Sequence, residues 1–263
     1  IFFDPTSFAN DRVYSKRGGY LTYPVRFNPA DVGVIPITVI HGEPEQFLAL
    51  MVARQALADA GYLDRLTNPD RTQVIMGRGN YLNRGILTML QHVRGAEEAL
   101  RIIQRFRPEL TEAELRAIKE ELKASLPIFN ADTAPTLIPN LTTGRIANRL
   151  DLMGTNFTVD AACASSLVAT EIGVRDLLTR KCDLVLVGGI YVSTDVGFQS
   201  IFCQLHALSH RSQIRPFDKD ADGLLPGEGA GCIVLKRLED AARDGDRIYA
   251  VIKGVGTSSD GRA

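Results

Sequence analysis

The residues with the clearest chemical potential lie in the stretch Phe157–Leu167, which reads FTVDAACASSL. Phe157, Thr158 and Val159 favour a strand. Asp160 ends that run, and small residues surround Cys163 on both sides. Leu167, Val168, Ile172, Leu177 and Leu178 then follow at helical spacing. The pattern predicts strand, sharp turn and helix, with a thiol at the helix start. The positive end of a helix dipole and its unused backbone N–H groups favour thiolate, the nucleophilic form. Small neighbours leave room for an acyl group at the sulfur. The competing reading is a buried structural cysteine, since free Cys commonly packs as a small hydrophobe.

Other candidate constellations are weaker. Gly77-Arg78-Gly79 with Gly85 lacks both the GxGxxG spacing and the Lys-Ser/Thr ending of a phosphate loop. Asp218, Asp220 and Asp222 alternate like a calcium loop, but Glu228 falls short of the EF-hand position and no helix pair brackets the segment. These aspartates are expected to be solvated turn residues and caps, and no metal site is expected. His41, His92, His206 and His210 share no motif and are read as surface or structural. Cys163, Cys182, Cys203 and Cys232 form no CxxC pair, which argues against zinc and disulfide frameworks and for a reducing, cytoplasmic setting. Cys182, Cys203 and Cys232 are expected in the core.

The elements that must position Cys163 alternate between helix and strand. Val34–Ile40 is apolar and β-branched, as in a short strand. Pro44–Tyr62 has an apolar helical face opened by Pro44. Gln73–Gly77 reads as a buried strand, and Ile86–Phe106 as a helix ended before Pro108. Thr111-Glu112-Ala113-Glu114 is a capping-box pattern that starts a further helix with Leu115, Ile118, Leu122 and Leu126 on one side. Its charged residues form a solvated face or, on the sharper reading, a partner-docking face. Asp183–Gly189 is a continuous apolar run, as in a strand buried on both faces. Cys232–Leu235 and Ile248–Val255 read as strands, with a short helix at Leu238–Arg243 between them. This alternation argues for an α/β fold with a layered sheet. With 263 residues, 45% of them hydrophobic, there is ample material for a core. The formal net charge of −1 shows no footprint for nucleic acid or an anionic membrane, and no run reaches membrane-span length. The chain opens on Ile1, which suggests a processed or excised piece.

Asp160-Ala161-Ala162-Cys163-Ala164-Ser165-Ser166 resembles the nucleophile motif of the β-ketoacyl synthases, condensing enzymes of the thiolase fold. Gly144–Leu152 resembles the segment before that family's nucleophile strand. Arg215-Pro216-Phe217-Asp218 with Gly227-Glu228-Gly229-Ala230-Gly231 resembles a later block, in the right order. Tyr14–Tyr20, Glu43–Gln46, Gly77–Gly85 and Glu121–Pro127 point more narrowly to ketosynthase domains of iterative modular synthases that make polyketides or polyunsaturated fatty acids.

The resemblance implies a layered α-β-α-β-α architecture, of which residues 1–263 form the N-terminal portion of one ketosynthase domain: the first half of a duplicated core plus a connection, with a charged helical insertion at about 96–127. It implies that Cys163 accepts an acyl chain and condenses it with a malonyl-type extender held on an acyl carrier protein. That is an acyltransferase reaction that elongates polyketide or fatty-acid chains. Phe202 corresponds to the family's gating phenylalanine, with an ordinary core aromatic as the competing reading. Glu228 is expected to brace loops near the site. No cofactor is expected on the chain itself, since the phosphopantetheine arm belongs to the carrier. Further synthase domains and a second copy, paired through strand 156–160, are the implied partners. The family's two catalytic histidines lie in motifs that do not occur here, so this polypeptide alone is expected to be inactive. The alternatives are a non-catalytic thiolase-fold partner that scaffolds or sets chain length, which the retained Cys163 disfavours, and a Ser or Cys hydrolase, which the missing GxSxG pattern disfavours.

Overall fold

The computed structural model describes residues 2–7, 9–21, 25–79, 83–131, 133–192, 195–259 and 261–262. The chain divides into two compact units. The first comprises residues 1–28, 44–81 and 139–263, and the second residues 29–43 and 82–138.

The first unit is built on a four-stranded sheet in the order β2-β1-β3-β4. β1 (Thr72–Gly77) lies between β2 (Asn156–Val159) and β3 (Leu184–Tyr191), parallel to both, and β4 (Gly229–Leu235) adds antiparallel to β3. Every residue of β1 is buried, as expected for a parallel strand covered on both faces. The helix α7 (Ser165–Leu178) covers one face. There Ala169 and Leu177 pack with Ile75, Val185, Val187 and Cys182, and Phe157, Val159 and Ile172 fill the margin. Gly173 lets the helix approach, because a Cβ at that position would stand 2.8 Å from Val187 Cγ1.

Successive strand residues point to opposite faces. Ile75 and Gly77 face α7, so Arg78, the next residue along, points the other way, and it pairs with Glu45 of the helix α2 (Pro44–Asp59). α2 therefore covers the opposite face, packed against α6 (Leu141–Arg149). The sheet lies between helical layers. α8 (Val196–Gln204) and α9 (Leu238–Arg243) complete this unit. A second cluster gathers Val13, Tyr14, Cys203 and Leu208, with the Tyr14 hydroxyl donating to the Leu208 carbonyl at 3.0 Å.

In the second unit, α1 (Pro36–His41) is followed by a helical run of α3 (Arg84–Leu90), a π-helical turn (Gln91–Gly95) and α4 (Ala96–Phe106). α5 (Glu112–Ala124) then opens on the expected capping box. Thr111 Oγ1 accepts the Glu114 N–H, and the Glu114 carboxylate accepts the Thr111 N–H at 2.8 Å. The segment expected as a helical insertion at about 96–127 lies within this unit.

Two strand expectations are corrected. Val34–Ile40 is not a strand, for Pro36 stands at the first position of α1. Proline sets φ for a helical start and has no N–H for a ladder. Ile248–Val255 forms no strand, because no described segment pairs with it.

Candidate functional site

Cys163 lies in a short 3-10 turn, Ala162–Ala164, between β2 and α7. The turn is sharp because Ala162 adopts φ +50°, a region that costs a residue with a Cβ. Side chains on either side offset that cost. Ser165, which is buried, donates its hydroxyl to the Ala162 carbonyl at 2.6 Å and accepts the Ala161 N–H at 2.9 Å. Asp160 accepts the Ala162 N–H at 3.0 Å.

The turn is seated on the carboxyl ends of the central strands. Gly77 of β1 and Gly189 of β3 are register partners directly beneath the start of α7. A Cβ on Gly77 would come within 2.4 Å of the Ser165 carbonyl carbon and the Ser166 nitrogen, and one on Gly189 within 2.8 Å of Ser166 Cβ. Only glycine at both positions lets the helix settle so low on the sheet. The carboxyl ends of parallel strands are where open α/β sheets bind ligands.

Cys163 is exposed, whereas Cys182 and Cys203 are buried and Cys232 is half-buried. Burial, reinforced by nearby Asp176, pushes the Cys182 thiol up to about 11, and burial pushes Cys232 up to about 12. These two are suppressed as thiolates at neutral pH, and Cys163 is the exposed thiol of the four.

Phe202 lies on α8, half-buried, within an aromatic row. Tyr191, the last residue of β3, meets Phe198 at a 5.0 Å centroid distance, and Phe198 meets Phe202 at 4.5 Å. The row thus connects Phe202 to the strand that carries Gly189. Glu228 makes its bonds to the N-terminal segment. Its Oε2 accepts the Leu21 N–H and its N–H donates to the Gly19 carbonyl, both at 3.0 Å, tying that segment to the loop before β4.

The aspartates of the Gly-rich loop act as turn acceptors. Asp218 takes the Asp220 N–H, and Asp222 takes the Ser209 hydroxyl and the Arg211 N–H. Among the described residues no cluster could hold a metal ion. His92 bonds the Pro127 carbonyl at 2.8 Å and His210 stacks on Tyr14 at 4.0 Å, while the His41 side chain lies outside the described residues. Asn80, Tyr81 and Leu82 of the Gly77–Gly85 motif also lie outside them.

The structure adds a feature that residue types alone did not reveal. Glu45 and Arg78, each 2% exposed at the side chain, form an ion pair at 2.5 Å. Glu45 also accepts the Val192 N–H just beyond β3, and the Arg78 N–H donates to Val159 at the end of β2. One buried pair therefore joins the carboxyl ends of all three parallel strands. The only sequence signal was that both residues fell in family-like motifs.

The model of the β-ketoacyl synthase N-terminal domain matches residues 2–241. The chain belongs to the β-ketoacyl synthase family. It is 32% identical to a polyunsaturated fatty acid synthase protein of Thraustochytrium sp., across 100% of this chain and 9% of that protein. It is 31% identical to a phenolphthiocerol/phthiocerol polyketide synthase protein of Mycobacterium tuberculosis, across 100% of this chain and 12% of that protein. Among solved structures it resembles the ketosynthase from module 6 of the bacillaene synthase of Bacillus subtilis. The TM-score is 0.74 at 27% identity, covering 100% of this chain and 37% of that one. The chain thus spans a small part of the length of these relatives. The thiolase-like α/β fold follows from the same comparison. No helix among the described residues is long and apolar enough to cross a membrane.

Proposed function

We propose that this ketosynthase chain carries the nucleophile of a decarboxylative condensation that elongates polyketide or fatty-acid chains. The observation that carries the reading is Cys163: the accessible thiol, on a strained turn at the carboxyl ends of the parallel strands. The Cys163 sulfur attacks the thioester carbonyl of an acyl chain on an acyl carrier protein. A new thioester forms, and the carrier's phosphopantetheine thiol leaves with the proton. A malonyl-type extender on a carrier then loses carbon dioxide, and its carbanion attacks the acyl-Cys163 carbonyl and expels the cysteine thiolate. Covalent catalysis splits one hard step into two. The Cys163 N–H, at the start of the helical segment, is one donor for the oxyanion.

In this reading Phe202 gates the acyl channel, and Glu228 braces the loops around it. The two histidines that would assist decarboxylation are not among the motifs of these 263 residues, so the chain by itself does not carry out the condensation. A second copy pairs along β2, which is an edge of the sheet among the described residues; such an edge is an aggregation hazard unless paired. The setting is the cytoplasm, within a multidomain synthase. A purely scaffolding role is disfavoured by the retained thiol.

The test is acyl loading. Incubation with hexanoyl coenzyme A followed by peptide mass spectrometry should place the acyl mass on the peptide containing Cys163. Label confined to Cys182, Cys203 or Cys232 would overturn the assignment.

A further inference from the structure

The hairpin of α4 and α5 is not used by the proposed chemistry, yet its surface is strongly patterned. Leu100 and Ile103 of α4 and Leu115, Ile118 and Leu122 of α5 are half-buried where the helices pack, and Lys119 pairs with Glu97 across them. The outward faces differ in character. α4 exposes Ile102 (57%) and Phe106 (76%), and Val93 in the preceding turn is 58% exposed. Exposed Arg94, Arg101 and Arg105 accompany them, against exposed Glu98. The outward face of α5 carries no large apolar residue. It shows Ala113, Ala117 and Ala124, with Glu112, Glu114, Glu120 and Glu121 against Arg116.

One face is therefore basic with large apolar knobs, and the other is acidic with small residues that could receive them. We infer that this hairpin is a docking surface for a second copy of itself. A twofold axis sets α4 of one copy against α5 of the other, and the reverse contact comes with it. Both contacts then join opposite charges, and both seat Ile102 and Phe106 over the alanine row. A four-helix arrangement results. Helices of 11 and 13 residues are about 16–20 Å long. The contact thus falls below about 1,200 Å², the range of weak, transient interfaces, and its charge pairs are screened by salt. A nucleic acid or an anionic lipid surface fits less well, because the four glutamates of α5 stand beside the arginines and repel it. The inference is independent of the catalytic reading and of pairing along β2.

The test is a charge swap in the full chain. One variant carries Arg101→Glu and Arg105→Glu, the other Glu120→Arg and Glu121→Arg, with circular dichroism confirming that each is folded. In sedimentation at low salt, each variant alone should associate at least ten-fold more weakly than the unmodified chain. Any association along β2 persists in both and serves as the baseline. An equimolar mixture should regain the lost association as a mixed pair, because both of its contacts again join opposite charges. A mixture no tighter than its components overturns the inference. So does an unmodified chain whose association ignores both variants. Co-sedimentation with phosphatidylserine vesicles that is lost in the arginine variant, without any self-association, would assign the surface to lipid and overturn it equally.

Discussion

Replacing Gly77 with alanine should unseat the turn that carries Cys163. The new methyl would stand 2.4 Å from the Ser165 carbonyl carbon and the Ser166 nitrogen, where ordinary van der Waals contact begins at 3.4 Å. The obstructing atoms are backbone, so no side chain can swing aside. The start of α7 must rise by about 1 Å, or β1 must sink by as much into a layer where Val74, Ile75 and Met76 are fully buried. Overpacking of this kind costs about 1–3 kcal/mol, and an obstruction by backbone alone belongs at the upper end. In a chain of this size, about 2–3 kcal/mol lowers Tm by roughly 5–10 °C. Gly231→Ala is the matched control, since a Cβ there meets nothing within 4 Å. Urea unfolding of the two variants, together with the rate of Cys163 alkylation followed by intact mass, supplies the assay. Gly77→Ala should be destabilised and its alkylation rate altered, with Gly231→Ala unchanged in both. A Gly77→Ala chain within about 0.5 kcal/mol of the unmodified one, reacting at the same rate, would refute the claim that this glycine seats the helix.

Glu45→Ala leaves the Arg78 guanidinium buried without its partner, and denaturant unfolding should show a loss of about 3–5 kcal/mol. Glu45→Gln combined with Arg78→Met keeps the acceptor for the Val192 N–H and removes the charge, so most of that stability should return. Asp183 is held down at about 2 by hydrogen bonds from Arg71 and then Arg237. Because its folded value is depressed from 3.8, its contribution is complete above about pH 4 and disappears as pH falls through about 2. Solvent screening at a partly exposed site reduces it to about 1 kcal/mol, so the stability of Asp183→Asn measured across pH 2–5 should be flatter by that amount. In a complete ketosynthase domain, Val159→Asp should cost folding and pairing along β2 together, since Val159 packs at the margin of the core under α7 and a buried unpaired charge is costly. A stable dimer of that variant would contradict the proposed pairing.

Local signals made part of this fold legible. The capping box at Thr111 and the apolar run Asp183–Gly189 each contain what they need within a few residues, and both elements appear where expected. Val34–Ile40 misled because β-branched residues favour strands only when a neighbouring strand can pair, and Pro36 removes a donor from the middle of the run. Ile248–Val255 misled in the same way, since its apolar composition describes a residue's preferred surroundings and not whether a partner strand is present. In both cases the deciding quantity, a hydrogen-bonded neighbour, is non-local.

The candidate site divides along the same line. The thiol, its small neighbours and the strand–turn–helix pattern were readable because they are contiguous. What holds them was not. Nothing in an alanine signals φ +50° at Ala162; the conformation is imposed by Ser165 and Asp160, whose side chains bond the turn's own backbone. Glu45 lies 33 positions from Arg78, and a glutamate in the first turn of a helix is ordinarily read as solvated, complementing the dipole. Its burial depends on α2 lying across the strand ends, a tertiary arrangement that no local pattern encodes. The pair's bonds to the ends of β1, β2 and β3 fix the platform on which Gly77 and Gly189 receive α7. The geometry of the turn that carries Cys163 therefore rests on a buried ion pair on the opposite face of the sheet. Disrupting that pair should disturb Cys163 without any residue touching the thiol having changed.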